Sequence, residues 1–475
     1  VAGLAAGFTL LLKFNDGVTL CAIFYVLAAW SWRRFRAHRA ALFVACLPPA
    51  VLLAGMASQG PLAATLPYAR FTFEIGRGYS EAMGSPGPVA QMLLAAATAV
   101  IILAVPVLFR EPARVLPALA AAGLLAVTAF KHGMVRQDGH ADVTQAKLAA
   151  AALFVFVASI RPNTRRWLAT IAVASSIASV IIYRSDPKAF TAIADQRATL
   201  ASLAPTVDAL AHWPRTWARL GPENRPVLDA LQVSREFSDA IGAGTVDAYP
   251  ANIETVRANG WKYQPRPLFQ SFTAYTPALD QLNAEHIRGP RTADFVLVQP
   301  GSIDGRHLFF DDPLSFRALL DRYRFRLADS RAILLERRTG PPLFREPEPM
   351  GVTIAAWNKE TPVPRVEPGQ ALLMKADIRR TRLGSWRVAV LRGAPVQLQA
   401  SRQNAGQIFA RMVRGNLGSG VIISPLASEI GELTRFFTDR KDCPPVVSLY
   451  WWTPEPDEFE PAIRIEWFNL RPSLP

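Results

Sequence analysis

The feature that most constrains this chain is a succession of six apolar runs in its first 183 residues, at 17–32, 40–57, 88–109, 115–130, 144–160 and 167–183. Each is close to the roughly 20 residues that a helix needs to cross a hydrocarbon core of about 30 Å. Six such runs, separated by short polar links, are not the pattern of a water-surrounded core. The pattern predicts a polytopic α-helical transmembrane domain over 1–183, with the end of a further helix at 2–12. That first run has no charged n-region or cleavage site and is not read as a signal peptide. The chain opens on Val1 instead of Met and is expected to continue upstream.

Basic residues give the expected orientation. The links 33–39, 110–114 and 161–166 carry nine Arg in 18 residues, whereas 58–87 and 131–143 carry four Lys+Arg in 43. The positive-inside rule places the first set in the cytoplasm and everything after Arg184 outside it. The predicted placement is a bacterial inner (plasma) membrane, multi-pass, with the C-terminal domains extracytoplasmic. The net charge of +14 then loses its first meaning as a nucleic-acid signal. Residues 1–183 hold 15 Lys+Arg against 6 Asp+Glu, and the remaining 292 hold 37 against 32, so the excess belongs mainly to the apolar part. With 50% hydrophobic and 19% charged residues the chain is neither disordered, collagenous nor a coiled coil. Cys21, Cys46 and Cys443 build no disulfide framework and show no metal-ligand spacing.

Beyond the membrane domain three regions are expected. Residues 184–242 show helical spacing (Phe190, Ile193, Leu200, Leu203, Val207, Leu210) broken by Pro214 and Pro222, a helical linker. Residues 243–340 alternate short apolar runs with helical stretches, as in a small α/β domain. The Pro-rich link GPPLFREPEP at 340–349 reads as a boundary. After it, short runs at 372–378, 386–391, 396–400, 408–413, 421–424, 446–452 and 463–468 predict a β-sandwich of jelly-roll type over 350–475.

Candidate chemistry falls in three places. FKHGMVRQDGHAD brings Lys131, His132, Arg136, Asp138, His140 and Asp142 into one link, where Asp138 or His140 is the expected catalytic base and Lys131 and Arg136 the phosphate partners. A polar turn with a snorkelling lysine is the plain alternative. The link 58–87 interleaves aromatics with Arg70, Glu74, Arg77 and Glu81, a pattern for an interfacial helix or for gripping an anionic group. PRPLFQSFTAYTPALDQLNAEH carries Arg266, Gln270, Ser271, Tyr275 and Asn283, suited to a polyol pocket or to caps and turns around the Thr276-Pro277 helix start. No phosphate loop, HExxH or GxSxG occurs. No cofactor is called for, with a divalent cation at His132, Asp138 and His140 the single alternative, although their spacing matches no established ligand pattern.

Helices followed by α/β and β-sandwich domains, together with the words FKHGMVRQDGH and PRPLFQSFTAYTPALDQLNAEH, resemble bacterial envelope glycosyltransferases of the GT-C type. The resemblance implies an integral membrane enzyme that takes a sugar from a polyprenyl-phosphate-linked donor to an envelope glycan or lipid acceptor. It also implies a carboxylate in the first extracytoplasmic loop, upstream of Val1. The expected partners are membrane lipid, a lipid-linked sugar and envelope glycan, with no nucleic acid. The alternatives are a non-enzymatic membrane-anchored glycan-binding protein and an O-antigen-ligase or polymerase-like enzyme.

Overall fold

The computed structural model describes residues 65–108, 112–138 and 211–473, with isolated residues at 21–25, 140–148 and 205–209. The chain divides into two compact units. Unit 1 comprises Val1–Gly76, Met83–Ala211 and Val390–Arg392, and unit 2 comprises Arg77–Ala82, His212–Ala389 and Gly393–Pro475.

The polytopic membrane domain is corrected by the structure. Among the described residues no helix is long and apolar enough to cross a membrane. The multi-pass inner-membrane placement and the fold class built on it fall with that finding. The runs at 17–32, 40–57, 144–160 and 167–183, and the helix end at 2–12, lie almost wholly outside the described residues. The other two correspond to α2 (Val89–Leu108) and α3 (Pro112–Val135), which follow α1 (Thr65–Ala82). These helices pack through a small-residue seam of Ala95, Ala122 and Ala126, continued by Met134, Ala141 and Leu148. An apolar run is common to crossing helices and to helices buried against one another, and composition alone does not separate them. The turn after α3 is tied to the start of α2. Ser85 N donates to Val135 O at 2.9 Å, Gln137 N to Ser85 O at 3.0 Å, and the Gln137 amide joins Gly87 N, Pro88 O and Gln91.

Unit 2 begins its own chain run with α4 (Trp213–Ala230) and α5 (Arg235–Ile241). Pro214 sits in the first turn of α4, where its missing N–H costs nothing. The expected break at Pro222 is corrected: α4 continues through it. The carbonyl four residues earlier belongs to exposed Ala218, where water can replace the lost partner.

A five-stranded sheet follows, ordered β2-β1-β3-β5-β4, from β1 (Thr245–Tyr249), β2 (Lys262–Tyr263), β3 (Phe295–Val298), β4 (Tyr323–Ala328) and β5 (Ile333–Arg337). β1 pairs in parallel with both β2 and β3, and β5 pairs antiparallel with β3 and β4. Between strands run α6 (Ile253–Ala258), α7 (Pro277–Arg288), α8 (Leu308–Asp311) and α9 (Pro313–Arg322). Burial of all four residues of β3 and of Val246–Tyr249 in β1 matches strands covered on both faces.

Two four-stranded antiparallel sheets complete the unit. One is ordered β10-β9-β12-β7 and the other β11-β8-β13-β6. Their strands are β6 (Glu348–Ala356), β7 (Glu360–Pro362), β8 (Ala371–Asp377), β9 (Val396–Arg402), β10 (Gln407–Met412), β11 (Val421–Ser424), β12 (Val446–Trp452) and β13 (Ala462–Leu470). Between them lie α10 (Arg382–Val390), α11 (Arg414–Leu417) and α12 (Ile430–Thr438). The strand expected at 386–391 is corrected to α10. Thr381 Oγ1 accepts from Gly384 N at 3.2 Å, and the helix comes so close to the Glu458 carbonyl that a Cβ on Gly384 would stand 2.1 Å from its oxygen. One apolar core runs from Tyr249, Val296, Phe309 and Phe316 of the α/β part to Leu373, Leu398, Trp451 and Trp467 of the sheets. Phe344, within the Pro-rich 340–349 stretch, is buried in that same core.

Candidate functional site

In unit 1 the turn after α3 carries an ionic cluster. Arg136 Nε donates to Asp138 Oδ2 at 2.5 Å, and His140 Nδ1 lies 2.6 Å from Asp138 Oδ1. The His140 backbone N–H also donates to Oδ1, at 3.1 Å. Partial burial pushes the Asp138 carboxyl up, but hydrogen bonds from His140 and Arg136 outweigh it and hold it at about 2. The carboxylate is therefore ionised and accepts from the Nδ1–H of His140, so Nε2 is the ring nitrogen not held by Asp138. The His132 ring stands 5.3 Å from that of His140, edge to face. Lys131 lies toward the C-terminal end of α3, where burial pushes its ammonium below the usual range. The Asp138 and His140 side chains are 42% and 40% exposed, so a substrate can reach them.

The residues expected on 58–87 lie along α1, with Arg70, Glu74 and Arg77 at the spacing that shares one helix face. Arg70 rests over the Phe71 ring at 5.4 Å, and Arg77 clusters with unit 2. Among the described residues no group of three His, Cys, Asp or Glu forms a metal cage.

Arg266, Ser271 and Asn283 of the expected polyol set are engaged by the fold itself. Arg266 is 2% exposed, donates to Asp247 Oδ2 (2.9 Å), Ala248 O (2.7 Å), Pro250 O (2.6 Å), Phe269 O (2.9 Å) and Ser271 Oγ (3.0 Å), and covers the Tyr249 ring at 5.0 Å. Asn283 exchanges two hydrogen bonds with the Leu268 backbone, at 2.8 and 2.9 Å. Gln270 precedes the 3-10 turn Ser271–Thr273, and its backbone carbonyl accepts from Thr273 Oγ1 at 2.7 Å. Tyr275 is 8% exposed, its ring edge-on to Tyr79 at 6.1 Å.

Around Arg266 lies a buried acidic group that periodicity could not show. Tyr249 O–H donates to Asp312 Oδ1 at 2.6 Å, and Asp280 accepts from Leu314 N, Ser315 N and Ser315 Oγ at 2.8–2.9 Å. Ser302 donates to Asp311, which stands 3.7 Å from Arg306. Burial pushes the Asp311 carboxyl up to about 7, against the pull of Arg306 and Ser302. Burial raises Asp280 and Asp312 as well, and the charge of Asp312 adds to the shift at Asp280.

The β1-α6-β2-α7-β3 segment leaves β1 on one side and returns on the other, which makes the carboxyl ends of β1 and β3 a topological switch point, where open α/β sheets bind ligands. The loop after β3 opens there onto a cleft of about 400 Å³ lined by Gly301, Arg306, His307, Arg402, Gln407, Phe409, Ser428, Glu429 and Glu432. Asp304 and Gly305 turn the loop with φ of 54° and 71°, and Gly305 O accepts from Arg411 N at 2.8 Å. Arg402 and Glu432 pair at 2.6 Å, while Glu432 also accepts from Ser428 N at 2.9 Å. His307 Nε2 lies 3.3 Å from Ser428 Oγ, but its Nδ1 accepts from Phe309 N at 3.2 Å. The ring therefore carries its proton on Nε2 and cannot take one from the serine, so this is no nucleophile pair. Burial holds the imidazole at about 4, neutral. Sequence reasoning passed over the whole cleft. The one signal in the sequence was the alternation in QIFARM, which points Gln407 and Phe409 away from the core.

Comparison with family models, with characterised proteins and with solved structures yields no match.

Proposed function

We propose that this chain transfers a sugar from a phosphate-activated donor to a hydroxyl of a glycan acceptor, with His140 as general base and Asp138 as its orienter. The observation that carries the reading is the 2.6 Å contact between Asp138 and His140 Nδ1, which leaves Nε2 without a partner among the described residues at a solvent-reachable turn. The acceptor oxygen attacks the anomeric carbon while Nε2 takes the hydroxyl proton. The bond between that carbon and the phosphate oxygen breaks, and its electron pair leaves with the phosphate. Lys131, at the end of α3, is the cation that receives the departing charge. Arg136, paired with Asp138 at 2.5 Å, steadies that carboxylate.

The test uses the full chain with radiolabelled polyprenyl-phosphate hexoses and hexose 1-phosphates as donors and neutral polysaccharides as acceptors. Label passes into polymer with the wild type. His140→Gln and Asp138→Asn lower the rate by roughly 10²–10⁴-fold at unchanged thermal stability. Full activity in both variants, or no transfer by the wild type from any donor, overturns the reading.

A further inference from the structure

We propose that the outer face of the β10-β9-β12-β7 sheet is a binding platform for a neutral polysaccharide chain. The proposal rests on unit 2 alone and does not depend on the transfer reading.

Strand alternation builds the face. Ile408, Ala410, Met412, Val396, Leu398, Ala400, Leu449 and Trp451 are buried in the core, so their neighbours in sequence point the other way. The register aligns those neighbours in rows. Phe409 stands opposite Gln399, which stands opposite Tyr450, which stands opposite Glu360. In the next row Arg411, Gln397 and Trp452 are aligned, and in the row on the other side Gln407 is near Ser401 and Ser448. Three aromatic rings thus alternate with three amides. Phe409 is 64% and Trp452 39% exposed, high values for large rings on a folded surface. Neighbouring strands lie about 4.8 Å apart, so Phe409 and Tyr450, two strands apart, are separated by roughly 10 Å. Tyr450 and Trp452 are separated by about 6.8 Å along their strand. The rings form a track longer than one pyranose.

The chemistry selects the occupant. Aromatic rings offer flat apolar faces to the C–H faces of pyranoses, and the amides offer donors and acceptors to their hydroxyls. No described protein group hydrogen-bonds the side chains of Gln397 or Gln399, although both face outward between rings. Charge gives the third argument. The chain after residue 183 holds 37 Lys+Arg and 32 Asp+Glu, yet the outward positions of these four strands carry only Glu360 at one edge and Arg411, buried, at the other. A face so free of charge complements a ligand without charge. Gln407 and Phe409 also line the 400 Å³ cleft, so the track runs into the pocket at its end.

The test is native affinity electrophoresis of the full chain in gels containing neutral β-glucans, mannans or xylans, followed by calorimetry on the oligosaccharide of the best binder. Retardation by at least one neutral polymer at physiological salt is expected, with none by polygalacturonate or heparin. Phe409→Ala, Tyr450→Ala and Trp452→Ala each weaken binding about tenfold, a pair of them about a hundredfold, and Gln399→Ala several-fold, with melting temperatures unchanged. His140→Gln binds like the wild type, which separates this site from the transfer reading. Absence of retardation by every neutral polymer, retention only by charged ones, or ring variants that bind like the wild type would overturn the proposal.

Discussion

Two ionic clusters in this protein use the same side chains to opposite ends. Arg136, Asp138 and His140 in unit 1 are 19%, 42% and 40% exposed. Arg266 and Asp247 in unit 2 have side chains 1% and 8% exposed. The exposed cluster leaves Nε2 of His140 without a partner among the described residues and loses little if broken. In the buried one three backbone carbonyls and two side-chain oxygens accept from the Arg266 guanidinium. Removing it strands several acceptors away from water. What differs between them is solvent, and solvent decides which cluster is free for chemistry and which is scaffold.

The largest expected effect separates the two outright. Arg266→Ala destabilises unit 2 by about 3–5 kcal/mol, because it leaves Asp247 and Asp312 as uncompensated buried acids. Arg266→Lys does not rescue it, since an ammonium lacks the planar fork that reaches Asp247, Pro250 and Ser271 together. Denaturant titration measures both, and a wild-type midpoint for either variant would break the comparison.

A second prediction concerns pH. His307 has a folded value of about 4 against the ordinary 6.5. Between those two values the unfolded chain binds the extra proton, so this group's contribution falls as pH drops from 6.5 to 4. Asp311 runs the other way. Its folded value of about 7 stands above the ordinary 3.8, so its contribution is complete below pH 3.8 and is lost as pH rises through 7. In the window from pH 4 to 6.5, Asp311→Asn removes a falling slope and His307→Asn removes a rising one. The two variants tilt the stability profile in opposite senses by about 2–3 kcal/mol, read as melting temperature against pH. Parallel profiles for the two variants would show that neither group is buried as described. Asp138, held at about 2 against the ordinary 3.8, contributes fully above pH 3.8 and loses that contribution as pH falls through 2, below the range in which the buried cluster acts.

The smallest effect sharpens the contrast. Asp138→Asn changes the stability of the folded chain by less than about 1 kcal/mol, because its ion pair is half in water. Thermal unfolding measures this. A cost comparable to that of Arg266→Ala would make the turn a structural staple and remove the reason to assign it chemistry.

Much of the local structure was legible in the residues. Thr276 followed by Pro277 announces α7, and Thr276 Oγ1 does accept from Leu279 N at 3.4 Å. The period-two patterns VQLQASR and QIFARM mark β9 and β10. β6 was not legible, because Pro349 and Gly351 disguise it and its pairing with β13 supplies the order. α10 was misread because Trp386, Val388 and Val390 look like a strand, while a Thr381 cap and the small Gly384 turn the chain helical. The six apolar runs were legible as apolar and no further.

The candidate sites divide in the same way. Lys131, Arg136, Asp138 and His140 lie close in sequence, so their clustering was visible there, and the structure added which atom of His140 is held. Arg266 and Asn283 looked like ligand contacts because a polar side chain's partner cannot be read from its own segment. Phe409, Tyr450 and Trp452 are up to 43 positions apart and meet only through the β10-β9-β12 register. Sequence by itself determined the local elements, the charge distribution and the ionic turn, since these depend on neighbours a few residues away. Burial, strand register and the fate of each polar group were decided by tertiary structure alone, since they depend on which distant segment excludes the water.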